Sequence, residues 1–212
     1  MRLTPELVFS AYREGIFPMA KSREGPIVWL SPDPRAVLPL DRFHCPKRLA
    51  QTVKSRRYRV TTDLAFEGVI DGCARPETWI SAEVREAYVG LHRQGHAHSI
   101  ECWSGDRLAG GLYGVQIGGA FMAESKFHRD RDASKVALAE LVAHLRRIGA
   151  TLLDVQFLTP HLAQFGVVEI PREDYLCRLA ATVNSGSKWG AAGPLAPETR
   201  RRKRRRKRPP PP

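Results

Sequence analysis

Cysteine is scarce in this chain of 212 residues, and the four present, Cys45, Cys73, Cys102 and Cys177, stand far apart. None forms a C-x-x-C pair, so the spacing points to neither a zinc site nor a dithiol redox motif. No histidine accompanies Cys73 or Cys102 in a pattern that would mark a nucleophile, and buried free thiols are the preferred reading. Long apolar runs are also missing. No stretch approaches the roughly 18 uninterrupted apolar residues of a membrane span. The opening MRLTPELVFSAYREG lacks the apolar run of a secretory signal. The expectation is a cytoplasmic chain with no membrane partner. What is present suffices for a core: 42% of residues are hydrophobic, and the length fits one good-sized domain or two small ones.

The net charge of +12 is unevenly spread. Residues 200–208 read RRRKRRRKR, and without those nine the chain holds 25 basic residues against 22 acidic ones, a net of +3. The segment 185–212, ending in PPPP, is poor in apolar residues and is expected to be a disordered basic and proline-rich tail. It reads equally as a nonspecific electrostatic arm for RNA and as a dispensable solvated tail. A second basic cluster lies within the folded part: Arg42, Lys47, Arg48, Lys54, Arg56, Arg57 and Arg59, with no acid among them. A stretch of one sign suits a phosphate backbone, although a solvated helix face would look the same.

Periodicity gives the coarse order of elements. Thr4-Pro5 reads as a cap and first turn of a helix running to Gly15. A Gly- and Pro-rich stretch follows, then a helix near 46–55, a strand near 58–62, a helix opened by Asp63 and another after Ser81. Strands are predicted at 97–103, 107–116 and 120–125, with Gly118-Gly119 as the second hairpin turn. A helix over 133–148, the apolar strand TLLDVQFL, a short helix from Thr159-Pro160, a strand at 167–170 and a last helix complete the pattern. This is an α+β layout of acyltransferase type, with 1–62 as a small N-terminal domain and 63–184 as the catalytic one.

The chemistry concentrates on TLLDVQFL. Alternation along a strand places Asp154 and Gln156 on one face, roughly 7 Å apart at the backbone. Burying both in an apolar strand is costly without partners. They read either as a structural network or as a polar site at the sheet edge. Glu124, at the end of the third meander strand, is a third candidate. His96 and His98 share a strand face but lack the further ligands a zinc site requires. Trp29 and Trp103 read as packing residues.

Several segments together carry a family resemblance. AYREGIFP, VWLSPDPRAVL, TWI at 78–80, GHAHSIECW, GGLYGV, AESKF, ASK at 133–135, DVQFL and EIPREDYL resemble, in order and spacing, the signature of the leucyl/phenylalanyl-tRNA–protein transferases. They span about residues 5–180. Met19 stands where the family has tryptophan, and Lys126 and His128 stand where it has an apolar and a small residue.

The resemblance implies a C-terminal domain related to the GCN5-type N-acetyltransferases. It implies transfer of leucine or phenylalanine, with methionine a further option, from charged tRNA to proteins beginning with arginine or lysine, which enter the N-degron pathway. No metal or organic cofactor is implied, and a monomer is expected. Asp154 and Gln156 would lie at the reacting amine with Glu124 nearby. Trp79 would support the terminal adenosine, and Tyr12, Tyr88, Leu112 and Leu141 would contact substrate. Two other readings compete: a CoA-dependent N-acetyltransferase, disfavoured by the glycine-free loop HRDRDAS before the long helix, and a noncatalytic RNA-binding protein.

Overall fold

The computed structural model describes residues 2–23, 25–75 and 79–195. The basic run and the prolines, with the expectation of disorder there, fall outside the described residues.

The first helix, α1 (Pro5–Arg13), starts as its sequence dictates. The Thr4 side chain accepts from Leu7 N and proline occupies the first turn. The Gly- and Pro-rich stretch after it carries three short strands that periodicity does not reveal: β1 (Phe17–Ala20), β2 (Ile27–Leu30) and β3 (Arg35–Val37). Then come α2 (Lys47–Lys54), β4 (Arg59–Thr62), α3 (Phe66–Cys73) and α4 (Ala82–Arg93). The meander is β5 (Ala97–Ser104), β6 (Arg107–Ile117) and β7 (Ala120–His128). The chain continues through α5 (Ala133–Arg147), β8 (Leu152–Gln156), α6 (Pro160–Ala163), β9 (Val168–Ile170), α7 (Arg172–Thr182) and β10 (Gly193–Pro194).

The architecture is α+β. One sheet has the order β10-β4-β5-β6-β7-β8-β3-β9, and β1 and β2 form a separate hairpin. Residues 1–62 thus supply two strands, β3 and β4, to the same sheet as the meander. One core packs α1, α3, α4 and α7 on one face of the sheet. A second core packs α5, with Leu49 of α2 and Leu162 of α6, on the other. Among the described residues no helix is long and apolar enough to cross a membrane.

The pairing of β7 with β8 is parallel and brief. It runs Ala120 with Leu152, Phe121 with Leu153 and Met122 with Asp154, and then stops. Two bulges flank the point where the strands part. On β7, Ala123 pairs with Gly114 and Ser125 with Tyr113, so Glu124 is the extra residue. On β8, Asp154 pairs with Val37 and Gln156 with Ala36, so Val155 is extra. Bulges re-aim side chains out of strict alternation and concentrate near functional sites. Gly114 is required opposite the first bulge, where a Cβ would run into the Met122 carbonyl.

Three expectations need correction. Asp63 does not open a helix: it has φ of 58°, and its carboxylate accepts instead from Ser99 N at 2.8 Å and pairs with His98 Nδ1 at 2.7 Å. A tertiary partner outcompetes the cap. Strand β8 ends at Gln156 rather than Leu158, because Gln156 itself has a positive φ. Part of the segment expected as tail, up to residue 195, belongs to the fold. Trp189 is buried, donates to Thr62 Oγ1 at 2.8 Å and stacks on His98, and β10 pairs with β4.

Candidate functional site

Asp154 has no exposed surface. Its partner is Arg35, the first residue of β3 and equally buried. Arg35 Nε donates to Oδ1 at 2.9 Å and Nη2 to Oδ2 at 2.6 Å, a bidentate pair. Tyr175 on α7 donates to Oδ2 at 3.1 Å, and the Gln156 backbone N donates to Oδ1 at 2.9 Å. The two oxygens therefore accept four hydrogen bonds. The Arg35 guanidinium also stacks between the Phe17 and Tyr175 rings, at 4.8 and 4.4 Å. Burial opposes its charge, but hydrogen bonds and charge from Asp154 outweigh that and hold its pKa above the ordinary arginine value.

Gln156 is held in the left-handed region, with φ of 59°. Such a conformation in a residue with a Cβ costs on the order of 1–3 kcal/mol and persists only where the surroundings impose it. Here the Asp154 carboxylate holds the Gln156 amide. The Gln156 side chain then spans the gap between the parted strands, and its Nε2 donates to Glu124 Oε1 at 2.8 Å. Tyr88 on α4 donates to Glu124 Oε2 at 3.2 Å and shares a 2.6 Å hydrogen bond with Tyr12 on α1. Glu124 thus terminates a chain of neutral donors. Burial, aided by the nearby Asp154 charge, raises its pKa to about 7 against the lowering effect of the tyrosines and Arg35. A carboxyl poised near neutrality can both accept and release a proton at working pH.

The structure brings Asp154, Gln156, Glu124, Tyr88 and Tyr12 together in one connected network. It does not bring Leu112 and Leu141 there. Both are buried in the core beneath α5, on the face of β6 opposite Tyr113. Trp79 is partly buried and packs against the core that holds Tyr12 and Tyr88. Arg42, Lys47, Arg48, Lys54, Arg56, Arg57 and Arg59 are all exposed, so their charges face solvent. Trp29 is exposed rather than packed and lines a cavity of about 580 Å³ between the β1–β2 hairpin and the start of α4. Trp103 donates to Thr61 Oγ1, and His96 stacks on Phe9. Cys73 is buried, which pushes its thiol up to about 12, far from a thiolate nucleophile at neutral pH.

Sequence reasoning missed Arg35 and Tyr175. Both lie inside quoted motifs, SPDPRAVL and EIPREDYL. The available signal was an arginine entering the apolar run AVL, a placement that requires an acid somewhere. Its partner is 119 positions away.

The family model for the leucyl/phenylalanyl-tRNA protein transferase matches residues 37–180, and the model for its N-terminal domain matches residues 1–33. The chain is 57% identical over 180 residues to the leucyl/phenylalanyl-tRNA–protein transferase of Novosphingobium aromaticivorans, covering 82% of this chain and 68% of that one. It is 51% identical over 195 residues to that of Nitrobacter winogradskyi, covering 89% and 87%. Among solved structures, L-PGS from Bacillus licheniformis matches with a TM-score of 0.41 at 14% identity, over 76% of this chain and 56% of that one, too loosely to carry an argument. The two family models and the relatives at this identity place the chain in the leucyl/phenylalanyl-tRNA–protein transferase family.

Proposed function

We propose that this protein transfers leucine or phenylalanine from aminoacyl-tRNA to the N-terminus of acceptor proteins that begin with arginine or lysine, marking them for N-degron-dependent degradation. Beyond family membership, one observation supports the reading: a carboxyl with its pKa raised to about 7, bridged to an amide in the split between two parallel strands. The acceptor α-amine has an unperturbed pKa of about 8, so a useful neutral fraction is present at pH 7. It attacks the ester carbonyl carbon, a C–N bond forms, and the bond to the ribose oxygen breaks. That oxygen leaves as a hydroxyl, carrying the proton that the attacking amine loses and Glu124 relays. The main requirement is orientation of two substrates, which can supply roughly 7–11 kcal/mol.

In this reading the Gln156 side chain aligns the amine through hydrogen bonding, and Glu124 takes the proton the amine loses. Asp154 orients Gln156 without itself taking the proton. Its oxygens are already filled, so it is a positioning residue that holds Gln156 in its left-handed conformation. Tyr12 and Tyr88 fix Glu124. Trp79 supports the terminal adenosine, and the segment from Arg42 to Arg59 takes the phosphates of the acceptor stem. We assign the acyltransferase-like part, related to the GCN5-type N-acetyltransferases, to residues 63–184, completed by strands β3 and β4 of the N-terminal segment, and regard the protein as a monomer. The parallel β7–β8 pair that opens after three residue pairs supports that kinship.

The test is transfer of labelled leucine from tRNA to a protein beginning with arginine. Incorporation at the acceptor N-terminus is expected. A folded protein that transfers nothing from charged tRNA would refute the assignment.

A further inference from the structure

A second cavity, of about 420 Å³, is lined by Arg48, Arg75, Lys126, Arg131 and Lys135, together with His128, His161, Ser134 and Asp132. Five basic side chains thus share the lining with one acid. That acid is already engaged: Asp132 pairs with Lys135 at 3.0 Å and with Arg131 at 3.9 Å. Among the described residues, no carboxylate lies within ion-pair distance of Arg48, Arg75 or Lys126. A concave wall of one sign concentrates the opposite charge from solution. Lys126 is half-buried, and burial lowers its pKa, a cost that an anion in the cavity would remove. The first turn of the 15-residue helix α5 forms part of the lining through Ser134 and Lys135.

The location narrows the ligand. Strands β7 and β8 part after Met122 and Asp154, and each branch carries a reacting-site residue first and cavity residues next. On β7 Lys126 follows Glu124 by two positions, about 7 Å along the strand. Beyond β8, His161 follows Gln156 by one short loop and the first residue of α6. On the outer side, Arg48 belongs to α2 and joins the cavity to the exposed basic segment. An aminoacyl ester stands on the ribose of the terminal nucleotide, and the 5′-phosphate of that nucleotide is one sugar away. An ester held at Glu124 and Gln156, in the gap between the parted strands, would carry that phosphate toward this cavity.

Resting on the transferase reading above, we propose that the cavity lined by Lys126, Arg48, Arg75, Arg131 and Lys135 binds the 5′-phosphate of the terminal nucleotide of aminoacyl-tRNA. It registers the ester against Glu124 and Gln156. It accounts for a lysine and a histidine at positions 126 and 128, which the transfer chemistry does not use.

The experiment compares three donors with an acceptor peptide beginning with arginine: full-length leucyl-tRNA, 3′-O-leucyl-adenosine, and the same compound bearing a 5′-phosphate. In the wild-type protein the phosphate should raise kcat/KM by about tenfold or more at low salt, in keeping with the salt sensitivity of phosphate contacts. That ratio should fall toward one in Lys126→Met and drop severalfold in Arg131→Gln, an exposed position whose change spares the fold. Lys126→Arg should restore it. A ratio near one in the wild type, or an undiminished ratio in both variants, overturns the phosphate site. So does coenzyme A inhibiting at concentrations at or below those of adenosine 5′-monophosphate, which would assign the cavity to CoA. Transfer from leucyl-tRNA with a ratio of one defeats only this site. No transfer from any of the three donors defeats the transferase reading and the site with it.

Discussion

Two carboxylates lie on adjacent strands, and Gln156 touches both, one through its backbone N and one through its side chain. Asp154 meets a guanidinium, a tyrosine hydroxyl and a backbone amide. Glu124 meets only neutral donors. The difference in charge compensation divides their roles. A buried carboxylate held by a bidentate guanidinium fixes its surroundings. A buried carboxyl with no such partner drifts toward neutrality and becomes available for proton transfer. In the proposed site, anchoring and proton transfer fall to neighbouring acids joined through one residue, Gln156.

The largest effect should come from breaking the compensated side. Asp154→Asn leaves the Arg35 guanidinium buried without its counter-charge, and loss of one partner of such a pair costs about 3–5 kcal/mol. Chemical denaturation should show that loss. The double variant Asp154→Leu with Arg35→Met should recover much of it. If Asp154→Asn unfolds like the wild type, Asp154 does not anchor this region.

Next in size is Glu124→Gln, which removes the proton acceptor while keeping a similar shape. Transfer should fall about a hundredfold, the lower end of what a positioned acid–base group contributes. Its pH signature separates it from Asp154. With the Glu124 pKa raised from 4.5 to about 7, the folded state binds a proton there that the unfolded chain has released. This group's contribution to stability therefore declines as pH rises from 4.5 to 7. The stability of Glu124→Gln relative to the wild type should rise across that window and level off above it. A difference that stays flat from pH 4.5 to 8 would contradict the raised pKa.

Trp79→Ala probes a contact outside both carboxylates. Base stacking on an aromatic is worth about 1–3 kcal/mol, so the half-saturating tRNA concentration should rise by up to about a hundredfold. An unchanged value would leave Trp79 a packing residue. Smallest per residue should be neutralisation of Arg48, Arg56 and Arg57, all exposed. Their joint loss should flatten the dependence of log affinity on log salt by roughly 2–3 units if each meets a phosphate. An unaltered slope would remove this segment from the RNA contact.

The legible parts of the fold were those with local periodicity. The meander β5–β7, the helix α5 and the strand carrying Asp154 all announce themselves through alternation, apolar spacing and Gly118-Gly119. Strand β3 has three residues, too few for any period, yet it lies between β8 and β9 and supplies Arg35. Alternation placed Asp154 and Gln156 on one face, but the Gln156 side chain reaches Glu124 through a bulge and a positive φ. Neither is written in residue type, because glutamine has no preference for that conformation. Just past the strand, Phe157 packs edge-on against Phe17 with ring centroids 6.0 Å apart, a contact that alternation does not predict.

By itself, then, the sequence determined the family, the element types and which polar residues are costly to bury, since each follows from local order and side-chain chemistry. Only the tertiary structure decided which acid is neutralised and which is left poised. That depends on Arg35 arriving from 119 residues away and on two strands that separate after three paired residues, and neither leaves a local trace in the chain.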